Sequence, residues 1–151
     1  MWLSDWFKKR NQERPIREKS LKILALSVFL QDRILLERLG KQYDWELRFT
    51  NSPTEAFKWV SQNQFEIILC DRNQPGYPWR EVMDCLAKSS PRSCILLISP
   101  VNDDYLWNDV LQWGGYDVLR RPLLPEAVLH SIGAAIRFIS PVATPCGTRI
   151  L

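Results

Sequence analysis

Apolar runs alternate with helical periods from residue 21 onward, and this constrains the chain more than any other feature of its sequence. Residues 21–27, 46–50, 65–70, 94–99 and 117–120 read as strands. Between them lie helical patterns. Residues 31–42 put Ile34, Leu35 and Leu39 on one face, and the helix opening at Ser52-Pro53-Thr54-Glu55 would bury Ala56, Trp59 and Val60. Residues 78–88 and 102–113 follow, the latter stopped by Gly114-Gly115. Arg121-Pro122 breaks the chain, and Pro125 opens a last helix carrying Val128, Ile132, Ile136 and Ile139 at helical spacing. Five strands alternating with five helices require right-handed crossovers, and hence a parallel α/β sheet covered on both faces.

A length of 151 residues, 46% of them hydrophobic, suits one domain with a real core. No apolar run approaches the roughly 18 residues of a membrane span, and charges within and after the apolar start of the chain argue against a secretory signal. A cytoplasmic protein is expected. The net charge of +3 is concentrated: residues 1–22 hold seven basic and three acidic side chains, which leaves the rest of the chain at −1. The expected organisation is an amphipathic basic arm over 1–20, a domain over 21–139 and an irregular Pro- and Gly-containing tail over 140–151, with no output domain after it. Cys70, Cys85, Cys94 and Cys146 form no C-x-x-C pair, and His130 is the only histidine. Buried, reduced thiols are expected, and no zinc site.

Ligands of open parallel sheets bind outside the carboxyl ends of the strands. The residues expected there are Ser27 and Val28, Asp71, Ser99, and Arg121 with Pro122. A carboxylate, a hydroxyl and a cation thus converge from three strands.

In order and spacing, three segments resemble the receiver domain of two-component response regulators. They are Ile67-Ile-Leu-Cys-Asp71-Arg-Asn-Gln-Pro75-Gly76, Ile95-Leu-Leu-Ile-Ser99-Pro100 and Gly114-Gly-Tyr-Asp117-Val-Leu-Arg-Arg121-Pro122. The resemblance covers roughly residues 20–139 and implies a flavodoxin-like doubly wound sheet in the order 2-1-3-4-5. It places Asp71 at the phosphoacceptor position, Ser99 at the switch hydroxyl and Arg121 at the family's lysine, with a cis bond to Pro122. Asn73 falls where a backbone carbonyl ligates magnesium in the family. Departures from the pattern bear on the chemistry. The family ends its first strand with two acidic residues that hold magnesium, and Ala25-Leu26-Ser27-Val28-Phe29 stands here instead. Asp32, the nearest acid downstream, lies about a turn into the first helix and is not expected to reach. Losing most of the carboxylate ligands removes most of the metal's anchorage and its neutralisation of phosphoryl charge. A loss of about 4–6 kcal/mol there would slow transfer by roughly 10³–10⁴-fold. Arginine in place of lysine adds a planar fork suited to a standing bidentate carboxylate pair, so Asp71 and Arg121 are expected to be paired at rest.

No bound cofactor is expected on this reading, with Mg²⁺ only under the alternative of a phosphorylatable single-domain regulator using Asp71. An enzyme is not expected. The chain has no phosphate-binding Gly-rich loop after the first strand, no G-x-S-x-G elbow, and Phe29-Leu-Gln31 where a flavin site would need hydroxyls. Function then falls to a surface. Of the seven tryptophans, Trp45, Trp59 and Trp79 read as packing residues. Leu106, Val110 and Trp113 would face the sheet, leaving Trp107 and Leu111 on an adjacent, partly exposed stripe. Trp107 and Leu111 with Arg120 form the candidate patch for a protein partner or self-association, on the fourth-helix, fifth-strand and fifth-helix face. In the arm, Trp2, Leu3, Trp6 and Phe7 precede Lys8-Lys9-Arg10. Docking on a partner, packing on a subunit and adsorption to anionic membrane all fit that pattern, the last least well. Nucleic acid is not expected, because no basic stripe continues onto the body.

Overall fold

The computed structural model describes residues 20–26 and 29–139. Residues 1–19 of the basic arm, the Pro-containing tail, Cys146 and the pair Ser27–Val28 lie outside the described residues. Five parallel strands, β1 (Lys22–Leu26), β2 (Glu46–Thr50), β3 (Ile67–Asp71), β4 (Cys94–Ser99) and β5 (Asp117–Arg120), form one sheet in the order β2-β1-β3-β4-β5. The helices between and after them are α1 (Leu30–Tyr43), α2 (Pro53–Gln62), α3 (Trp79–Ser89), α4 (Asp104–Gln112) and α5 (Pro125–Ile139).

Side-chain alternation along the strands builds two cores. Ile23, Ala25, Ile67, Leu69, Leu96, Ile98 and Leu119 face α1 and α5, meeting Leu36, Leu39, Val128 and Ile132. Leu24, Leu26, Ile68, Cys70, Ile95, Leu97 and Val118 face α2, α3 and α4, meeting Ala56, Val60, Met83, Leu86, Leu106 and Val110. Burial on both faces explains why β3 and β4 are apolar almost throughout.

Local signals account for most boundaries. Ser52 caps α2 by accepting from the Glu55 amide at 3.2 Å, with Pro53 at the first helical position. Asp103 caps α4 from the Leu106 amide at 2.9 Å. Gly114, at φ 98°, turns the chain out of α4 in the left-handed region where a Cβ is strained.

Three expectations need correction. Ile34 is 56% exposed, because α1 buries Leu35, Leu36 and Leu39 instead. Trp59 is only half buried, its ring covered by Arg48 with the guanidinium carbon 4.1 Å from its centre. Trp113, half buried, does pack against the core that holds Leu106 and Val110. Cys85 is exposed, whereas Cys70 and Cys94 are buried. Trp45 and Trp79 are core residues.

Candidate functional site

The carboxyl ends of the strands assemble the site. Asp71 is the last residue of β3 and Ser99 the last of β4; Arg121 follows β5 directly. Backbone ties fix these ends together. The Arg121 amide donates to the Ser99 carbonyl at 2.8 Å, and the Arg72 amide donates to the Ile98 carbonyl at 2.9 Å. The Arg121–Pro122 peptide is cis.

Asp71 is fully buried. Its Oδ1 accepts from the Asn73 amide at 2.8 Å, and its Oδ2 accepts from Arg121 Nη2 at 2.7 Å. The Gln74 side chain braces the same loop, its Nε2 donating to the Asp71 carbonyl at 2.7 Å. Ser99 Oγ accepts from Arg72 Nη1 at 3.3 Å and from the Val101 amide at 3.2 Å. The switch-position hydroxyl is therefore held on the Arg72 side.

The fork of Arg121 does not close on Asp71. It closes on Asp32, whose Oδ2 accepts from Nε at 3.0 Å and from Nη2 at 2.6 Å. The expectation that Asp32 lies out of reach is overturned. β1 ends at Leu26 and α1 begins at Leu30, so Asp32 stands in the first helical turn at the carboxyl end of the sheet. There its carboxylate reaches back to accept from the Phe29 amide at 3.3 Å, an orphan donor of the helix start. The same turn brings the Phe29 ring over the guanidinium, with Arg121 Cζ 3.8 Å from the ring centre. Among the described residues Arg121 Nη1 is buried without a hydrogen-bond partner. Burial disfavours the charged guanidinium, yet the Asp32 hydrogen bond and the charge and hydrogen bond of Asp71 outweigh it and raise the Arg121 pKa.

Two carboxylates thus share one cation, and the three groups sum to −1. A magnesium ion needs near-octahedral oxygen ligation. Both site carboxylates direct oxygens at Arg121, and no group of three or more metal-ligating side chains occurs among the described residues. In this arrangement an ion would have to displace the Arg121 guanidinium from both carboxylates. Nor is a nucleophile present in the neighbouring thiol. Burial, followed by the Asp71 charge, pushes Cys70 up to about 12 and keeps it protonated.

On the far edge of the sheet, Trp107 is 42% and Leu111 41% exposed. Both line a groove of about 490 Å³ with Tyr116, His130 and Phe138. Arg120 is exposed and lines an adjoining groove of about 500 Å³ with Leu124 and His130. Trp107 and Arg120 therefore flank β5 in separate grooves, and His130, unremarkable in the sequence, borders both. A groove of about 570 Å³ between α1 and β2 contains none of the site residues. No helix among the described residues is long and apolar enough to cross a membrane.

Strand order and five helices match the flavodoxin-like fold of CheY-like receiver structures. The chain is similar in structure to the chemotaxis response regulator CheY4 of Vibrio cholerae, with a TM-score of 0.70 at 18% identity over 78% of this chain and 99% of that one. It is likewise similar to a response regulator from Thermotoga maritima, with a TM-score of 0.71 at 12% identity over 78% and 98% of the two chains. In sequence it is 29% identical over 103 residues to the phosphoglycerate transport system transcriptional regulatory protein PgtA of Salmonella typhimurium. That match takes in 68% of this chain but 24% of the relative, so the chain spans about a quarter of the protein it matches. No family model matches.

Proposed function

We propose that this chain is a receiver-type signalling module, acting in the cytoplasm, that works by protein–protein contact and not by metal-dependent aspartyl phosphorylation. It is no enzyme on this reading and takes no cofactor. The observation that carries the proposal is the shared guanidinium: Arg121 Nη2 lies 2.6 Å from Asp32 and 2.7 Å from Asp71. Phosphoryl transfer to a carboxylate needs that carboxylate free to attack and a cation able to neutralise the incoming phosphate. Here the acceptor oxygen is engaged, and the neighbouring carboxylate would repel the phosphate.

The output surface of this module is the face of α4, β5 and α5, where Trp107 and Leu111 rim one groove and Arg120 the next. Its ligand is a protein partner or a second copy. α4 is tied to α3 by the Arg80 Nε hydrogen bond donated to Asp109 at 2.8 Å.

Tryptophan fluorescence during a magnesium titration, with and without beryllofluoride, tests this reading. No saturable response is expected at millimolar magnesium. A saturable, beryllofluoride-dependent change, or stoichiometric label on Asp71 from acetyl phosphate, would establish the phosphorylatable regulator instead.

A further inference from the structure

The pocket around Arg121 is shaped for one kind of cation. A flat guanidinium has N–H donors at its edge and a face that stacks on aromatic rings; a magnesium ion is a point charge that demands oxygen in six directions. The site offers carboxylate oxygens to the edge of the Arg121 guanidinium, from Asp32 at 2.6 and 3.0 Å and from Asp71 at 2.7 Å. It offers the Phe29 ring to the face at 3.8 Å. On that side a hydrated metal would require water where an apolar ring stands.

We propose that this pocket is a receptor for a planar organic cation of the guanidinium class, filled in cis by Arg121. Phe29 and Asp32 set that selectivity, while Asp71 supplies the second charge. The inference rests on the reading of the site as one that does not use a metal, and it names what the site takes instead. Phe29 and Asp32 belong to the entry of α1, so selectivity comes from the helix start and not from the strand end where an acidic pair would sit.

The test empties the pocket and refills it. The full chain carrying Arg121→Ala should melt well below the wild type. Methylguanidinium at about 10 mM should restore at least half of that loss, whereas MgCl₂ should restore no more than sodium chloride at equal ionic strength. Adding Phe29→Leu to Arg121→Ala should weaken methylguanidinium binding by roughly tenfold, the value of a partly desolvated cation–aromatic contact. Rescue by magnesium, or by neither cation, overturns the receptor. Should Arg121→Ala fail to fold, the Arg121 Nε–H resonance of the wild type carries the test. It should exchange slowly with solvent, shift when Phe29 becomes leucine, and ignore 20 mM magnesium; displacement by magnesium overturns the proposal. The two readings fail separately. Absent guanidinium rescue with silent beryllofluoride sinks only the receptor, while a beryllofluoride response sinks the phosphorylation-free module whatever guanidinium does.

Discussion

Removing Arg121 should cost far more than removing either acid it bridges. Asp32 Oδ2 and Asp71 Oδ2 lie 2.6 and 2.7 Å from the same nitrogen, so they cannot be farther apart than those two lengths laid end to end, about 5.3 Å. At an effective dielectric constant of about 20, two unit charges at that separation repel by about 3 kcal/mol. Arg121→Ala exposes this repulsion within a buried site, and the expected loss is about 3–5 kcal/mol, as for removing one partner of a buried pair. Asp32→Asn breaks charge-assisted hydrogen bonds worth about 1.5–3 kcal/mol, but it also relieves the repulsion and leaves a balanced Asp71–Arg121 pair. Its net cost should stay below about 1.5 kcal/mol. Urea unfolding at pH 8, followed by tryptophan fluorescence, separates the two. With a slope of about 2 kcal/mol/M, Arg121→Ala should lower the midpoint by about 2 M and Asp32→Asn by less than about 0.8 M. An asparagine variant as unstable as the alanine variant would refute the shared-cation account.

Three further outcomes follow from the same structure. Gly115→Ala would place a Cβ against Val110 Cγ1 and 2.7 Å from Met83 Sδ, and should cost about 1–3 kcal/mol by thermal unfolding. Peptide mapping after brief alkylation at pH 8 should find Cys85 modified, and Cys70 and Cys94 protected until the protein unfolds, since the Cys70 thiol is buried and held up to about 12. Trp107→Ala should weaken partner binding or self-association by roughly tenfold or more, as for an aromatic anchor, while leaving the urea midpoint within about 0.5 kcal/mol of wild type; unchanged affinity removes Trp107 from the contact face.

Much of the architecture was legible in the residues because burial on both faces leaves strands unmistakably apolar. β2, β4 and β5 begin and end where their runs suggest, and α2 starts at the Ser52-Pro53 signal. Amphipathic detail was harder to read. Ile34 and Leu36 flank Leu35 symmetrically, and only the position of the sheet decides that Leu36 is the buried one. The site was half legible. Asp71, Ser99 and Arg121 could be found from their places at strand ends, whereas Asp32 was discounted for being in a helix. The signal that could have recovered it is its position three residues after Phe29, where an acidic side chain turns back to the helix start. The Asp71–Arg121 pair expected from the sequence is present at 2.7 Å, while the two-nitrogen contact of the fork goes to Asp32.

That fork has a consequence for how such a protein responds to its surroundings. A counter-ion tethered to the backbone never has to be captured from solution, so its local abundance is set by the length of chain that carries it. Asp32 and Asp71 therefore meet that companion at 2.6 and 2.7 Å wherever the chain is folded.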